Sequence, residues 1–135
     1  MSGRPIGSPL RLKEESPLIS KSRKKAVRAA ETALDKKAKD TIVLELKDLS
    51  TFADYFVICS GENPAQIRAI AEAIQESFSK DRILPLGKEG LQSAHWVLID
   101  YGDIVINIFD EETRAYYELE KLWIDAPRIH LERQR

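Results

Sequence analysis

The stretch Trp96-Val97-Leu98-Ile99-Asp100-Tyr101-Gly102-Asp103-Ile104-Val105-Ile106-Asn107-Ile108-Phe109 decides the fold of this chain. Trp96–Tyr101 and Ile104–Phe109 are β-branched and aromatic runs of strand length. Tyr101-Gly102 between them is short enough for a two-residue hairpin loop, with Gly102 supplying a positive φ. In that register Val97 faces Ile106 and Ile99 faces Ile104, on one wholly aliphatic side. Trp96 then faces Asn107, Leu98 faces Val105, and Asp100 faces Asp103 on the other side. A bulge at Gly102 would shift the pairing. The aliphatic side reads as core. The other side is too polar for an ordinary core and too apolar for an ordinary surface, a mixture that suits partner contact.

Outward from the hairpin, the helical signals are local and clear. Asp110 suits a helix N-cap, with Glu111 and Glu112 in the first turn where negative charge is favoured. Ala115, Tyr116, Leu119, Leu122 and Trp123 form the expected inner stripe, Tyr117 is placed at a groove between helix and sheet, and Pro127 marks the end. Upstream, Asn63, Pro64 and Gln66 form an N-cap, first-turn proline and capping-box glutamine. Ile67, Ile70, Ala71, Ile74 and Phe78 then line one helix face through about Lys80. Ser22–Lys39 also reads as a helix, with an alanine-rich stripe of Ala26, Ala30, Ala33 and Ala38 beside Val27 and Leu34. Thr41–Leu49 alternates as a half-buried strand, and Tyr55–Cys59 is apolar enough for a central strand covered on both faces. Ile83-Leu84-Pro85-Leu86 is a short edge strand at most, since proline removes a ladder donor. Glu89-Gly90 marks the turn into the hairpin.

The expected architecture is therefore a single α/β (α+β) domain, a mixed sheet of about five strands with helices packed on it. Its span is 21–127, behind a disordered leader at 1–20 and before a flexible tail at 128–135. At 135 residues, 43% of them hydrophobic, the chain is long enough to bury one core. One cysteine excludes an intrachain disulfide and fits a reducing compartment. No apolar run approaches the roughly 20 residues of a membrane span, so neither a membrane nor a secretory route is expected. Arg and Ser in the leader resemble a transit peptide weakly, against Glu14 and Glu15. Residues 1–39 carry 11 Lys/Arg against 4 Asp/Glu, giving +7, whereas residues 40–135 carry 10 against 18, giving −8. An acidic body argues against nucleic acid as the main ligand and suits a basic protein partner. The basic arm (Lys21, Arg23, Lys24, Lys25, Arg28) is suited to touching RNA.

Catalytic chemistry is poorly represented. Asp100 and Asp103 at a hairpin are ordinary turn residues before they are a metal-binding pair. Contact with a partner's Lys or Arg fits them better, with Tyr101 at the turn tip joining in. Ser60-Gly61 before a helix has the form of a phosphate-binding turn, and equally of a plain strand-to-helix connection. Cys59 reads as an inert buried thiol. His95, His130 and one cysteine make no credible zinc site. No cofactor or metal is expected.

A set of residues in fixed order resembles the ribosomal silencing factor family (RsfS, or Iojap). It comprises Asp54–Ile58, Ser60-Gly61, Gln66, Ala69-Ile70-Ala71, Glu89-Gly90, Trp96, Asp100–Asp103, Phe109, Arg114, Tyr117 and Leu119–Trp123. The resemblance covers roughly residues 25–125 and departs at Asn107, where the family usually carries His. It implies a nucleotidyltransferase-like topology, without the Gly-Ser and acidic pair that such enzymes use for metal; Glu45 and Lys47 stand where the pair would be. It implies a cytoplasmic, non-enzymatic protein that binds the large ribosomal subunit at ribosomal protein uL14. Occupying that surface would block joining of the small subunit and repress translation. The alternatives are a large-subunit assembly factor in an organelle and, less favoured, a nucleotide-transferring enzyme. The expected contact set is Trp96, Leu98, Asp100, Tyr101, Gly102, Asp103, Asn107 and Glu89, with rRNA contact by the basic arm. The same mixed face is equally able to pair with itself in a homodimer.

Overall fold

The computed structural model describes residues 17–132. The chain runs α1 (Pro17–Asp35), β1 (Lys39–Glu45), β2 (Tyr55–Gly61), α2 (Pro64–Ser79), β3 (Gly87–Glu89), β4 (Trp96–Asp100), β5 (Ile104–Asp110), α3 (Glu111–Tyr117) and α4 (Leu119–Leu122). The five strands form one sheet in the order β1-β2-β5-β4-β3. β2 and β5 are parallel at its centre, and every other pairing is antiparallel. This is the mixed sheet expected from the sequence. α1 begins at Pro17, inside the span assigned to the leader; residues 1–16 and 133–135 lie outside the described residues.

Each face of the sheet carries its own core. On one, Val43, Val57, Val97, Ile99, Ile104 and Ile106 are fully buried with Ile67, Ile70, Ile74 and Phe78 of α2. The fully buried Ala26, Ala29, Ala30 and Ala33 bring α1 into the same core. Small side chains let that helix approach closely at the expense of area per residue. On the other face Leu44, Leu46, Ile58 and Phe109 pack with Leu119, Trp123 and Ala126. β1 is thus covered on both faces, not half-buried as its alternation suggested.

α2 starts as its sequence predicts. Asn63 Oδ1 accepts from the Gln66 amide at 2.8 Å, with Pro64 in the first turn. Gln66 does more than close a capping box. Its Oε1 accepts from the Glu62 amide, and its Nε2 donates to the carbonyls of Lys36 and Lys37 at 3.0 Å, which joins the α2 start to the end of α1.

Two expectations are corrected here. The hairpin register is displaced by two residues: Val97 faces Ile108, Leu98 faces Asn107, Ile99 faces Ile106 and Asp100 faces Val105. The loop centre is Gly102-Asp103, flanked by Tyr101 and Ile104, whose amide and carbonyl join at 2.9 Å. Gly102 alone of the two has positive φ (91°), as the first position of a type II′ turn requires. A shift of two preserves strand parity, so the two sides of the hairpin keep the residues assigned to them. The tail is also docked further than expected. Arg128 bridges to Leu44, the Ile129 amide donates to the Val43 carbonyl at 2.9 Å, and Leu131 is buried. Pro127–Leu131 therefore lies against the free edge of β1 and shields it. The edge strand on the far side is Gly87–Glu89, and Ile83–Leu86 precedes it as a non-strand segment.

Candidate partner-binding face

Register places the expected contact residues in rows across the sheet. One row runs Glu89, Leu98, Asn107, Ile58, Ile42, and its neighbour runs Gly87, Asp100, Val105, Phe56, Leu44. At the β1–β2 end these rows lie under Leu119, Trp123 and Ala126. Towards β3 the cover ends: Leu98 and Asp100 are half-buried and Glu89 is exposed. Five of the eight expected residues, Glu89, Trp96, Leu98, Asp100 and Asn107, thus share this face.

Trp96 is the centre of an aromatic stack. It lies on Phe109 with ring centroids 4.8 Å apart, and the Tyr117 ring centroid is 5.0 Å from that of Trp96 at a tilt of 50°. Tyr116 meets Tyr117 edge-on at 5.0 Å. Trp96 Nε1 donates to Asn107 Oδ1 at 3.0 Å. Asn107 is 1% exposed, and among the described residues its Nδ2 has no hydrogen-bond acceptor. Trp96 is half-buried and packs in part against the second core.

The remaining three residues lie elsewhere. Tyr101 is not at a turn tip. It is buried against Phe78 on the opposite face, 4.9 Å between ring centroids, because its strand position puts it level with Val97 and Ile99. Asp103 turns to α1, where Ser22 Oγ donates to Oδ2 at 2.6 Å and Lys25 Nζ to Oδ1 at 2.8 Å. Gly102 forms the turn, and its amide donates to Asp100 Oδ1 at 2.8 Å. Burial raises the Asp103 pKa, but the Lys25 and Ser22 hydrogen bonds outweigh it and hold the carboxyl below its ordinary value. A depressed carboxylate pKa stabilises the fold above the unfolded pKa of about 4, and that stabilisation is lost as pH falls through the folded value. Asp103→Asn is expected to cost about 1 kcal/mol at pH 7. The gap from wild type should close below about pH 4 in urea melts across pH. A gap independent of pH would show that the charge contributes nothing.

The segment after β5 departs from one continuous helix. Asp110 caps α3 as expected, accepting from the Thr113 amide at 2.7 Å, and its other oxygen meets His95 Nδ1 at 2.7 Å. α3 ends at Glu118, a non-glycine residue in the left-handed region (φ 48°), and α4 starts afresh. The break rotates the expected stripe. Leu119 and Trp123 pack inward, while Ala115, Tyr116 and Leu122 are exposed, Tyr116 at 80%. Tyr117, 53% exposed, does line the space between helix and sheet. Tyr116 and Tyr117 enlarge the apolar area beside Trp96, and the expected contact set missed both.

Among the described residues no group of three or more His, Cys, Asp or Glu is placed to hold a metal ion. Ser60 Oγ is buried and accepts from Arg114 Nη1 at 2.8 Å. Burial pushes the Cys59 thiol up to about 12, against a weaker pull from Arg114. Cys59 is expected to resist thiol reagents in the folded protein, with a labelling rate that follows unfolding by denaturant. Rapid labelling without denaturant would contradict its burial. No helix among the described residues is long and apolar enough to cross a membrane.

The family model for the ribosomal silencing factor during starvation matches residues 19–135. The ribosomal silencing factor RsfS of Halalkalibacterium halodurans is 45% identical over 98 residues, covering 73% of this chain and 84% of that protein. Its namesake in Bacillus subtilis is 42% identical over 104 residues, covering 77% and 88%. A crystal structure of a Chromobacterium violaceum protein superposes with a TM-score of 0.71 at 30% identity, covering 84% of this chain and 92% of that one.

Proposed function

Because this chain belongs to the ribosomal silencing factor family, we propose that it represses translation by docking on the large ribosomal subunit. The contact is ribosomal protein uL14, and the bound protein keeps the small subunit from joining. One observation carries this reading: the open half of the second sheet face, where the exposed Tyr116 and Tyr117 continue from half-buried Trp96 on the face that also carries Leu98, Asp100 and Glu89. Aromatic anchors surrounded by polar groups are what a high-affinity protein contact needs. The carboxylates and the acidic balance of residues 40–135 favour a basic partner such as a ribosomal protein. The action is steric, so it asks no chemistry of any residue and no cofactor. The basic residues of α1, Lys21, Arg23 and Lys24, are exposed and available to rRNA once the protein is docked. A homodimer through the aromatic face would compete with docking. The site of action is the cytoplasm.

Co-sedimentation with isolated subunits at low and moderate salt tests this. The expected result is co-migration with the large subunit alone, together with fewer joined ribosomes. Binding without loss of joining would favour the assembly-factor role over silencing. Failure to bind at either salt would overturn both.

A further inference from the structure

The docking face depends on a side chain that does not belong to it. Arg114 projects from α3 with only 11% of its side chain exposed. Its Nη1 donates to Ser60 Oγ on β2 at 2.8 Å, and its Nε and Nη2 donate to Glu120 Oε2 at 2.9 and 2.8 Å. One guanidinium therefore joins the central sheet, α3 and α4. Between its two helical attachments sits Glu118, whose left-handed conformation costs roughly 1 kcal/mol or more for a residue with a Cβ. Such a bend persists only where its surroundings hold it. Tyr117 immediately precedes that bend and lies on Trp96. Neither α3 nor α4 contains a fully buried residue, and Leu119 of α4 packs only in part against the sheet.

We infer that Arg114 is the positioning residue of the docking face: by clamping Ser60 to Glu120 it sets the α3–α4 bend and keeps Tyr117 against Trp96. This rests on the docking reading above and adds to it a residue that acts without touching the partner. A lysine cannot reproduce the clamp, because it offers one point charge where arginine offers a planar fork.

The test combines affinity for the large subunit with the indole N–H signal of Trp96 in a proton–nitrogen NMR spectrum, assigned using Trp123→Phe. Arg114→Lys is expected to weaken binding about tenfold and to move the Trp96 indole signal towards its position in Tyr117→Ala. In a Tyr117→Ala background the same substitution should cost no further affinity, since the residue through which it acts is gone. A merely stabilising role would lower the melting temperature but leave the indole signal of the folded protein in place. Should Arg114→Lys not fold, Glu120→Gln carries the same comparison with a smaller expected loss. An unmoved indole signal, or an equal loss of affinity with and without Tyr117, would overturn the inference. If the wild type binds neither subunit, the docking reading fails, and the indole signal alone decides whether Arg114 positions Tyr117.

Discussion

Trp96→Ala is expected to weaken binding to the large subunit by about 30-fold or more, corresponding to at least ~2 kcal/mol for loss of a central aromatic anchor. The same substitution removes the ring that Phe109 and Tyr117 pack on and the donor to Asn107. With Asn107 Nδ2 already lacking an acceptor, its carbonyl would become a second buried polar group without a partner. A stability loss of about 2–3 kcal/mol is therefore expected alongside the loss of binding, less than for a fully buried Trp because Trp96 is half-buried. Binding measured well below the melting temperature separates the two effects. Normal affinity in the folded variant would place the contact elsewhere. A variant that does not fold would make Trp96 a core residue first.

Gly90→Ala is expected to have the largest effect on the fold itself. Gly90 has φ 85°, and a Cβ there would overlap the backbone carbonyl of Trp96. The obstacle is backbone, so no rotamer change relieves it. The Gly90 carbonyl also accepts from the Ala94 amide at 2.9 Å, closing the loop between β3 and β4. Moving Gly90 away would undo that loop, detach the edge strand and displace Trp96. A loss of more than about 3 kcal/mol is expected, from the clash and the left-handed φ together. Urea denaturation reads it directly, and a loss below about 1 kcal/mol would show that the loop has room to adjust.

The parts of this fold that announce themselves in sequence are those with local causes. Asn63-Pro64 opens α2 and Asp110 opens α3 because a cap is a matter of one side chain and the next few amides. The sides of the hairpin are legible because alternation survives a shift of two, whereas the register was not. That depended on whether Tyr101 or Asp103 flanks Gly102 at the loop centre. Tyr101 follows the same rule: one position of difference decides between a turn tip and a buried strand end.

The unread features come from contacts distant in sequence. Asp103 is drawn to Ser22 and Lys25, about 80 residues away, and nothing near a hairpin turn signals that. Glu118 gives no hint of a left-handed residue, since glycine or asparagine is the usual signal. Arg114 and Glu120, six apart, are not neighbours on a continuous helix and meet only because the helix breaks. The bend exposes Tyr116 and Leu122, which a uniform helical stripe assigns to the interior. On the candidate face, the parity of the strands and the place of Tyr117 are legible in sequence, and the break at Glu118 with its consequences for Tyr116 and Leu122 is not.

The most direct test of the central claim is the fraction of subunits that join, followed by light scattering as the protein is titrated against large and small subunits. Steric occupancy predicts that joining falls in parallel with occupancy of the large subunit, and that Trp96→Ala shifts both curves by the same factor. Saturated large subunits that still join small ones at the uninhibited level would contradict it.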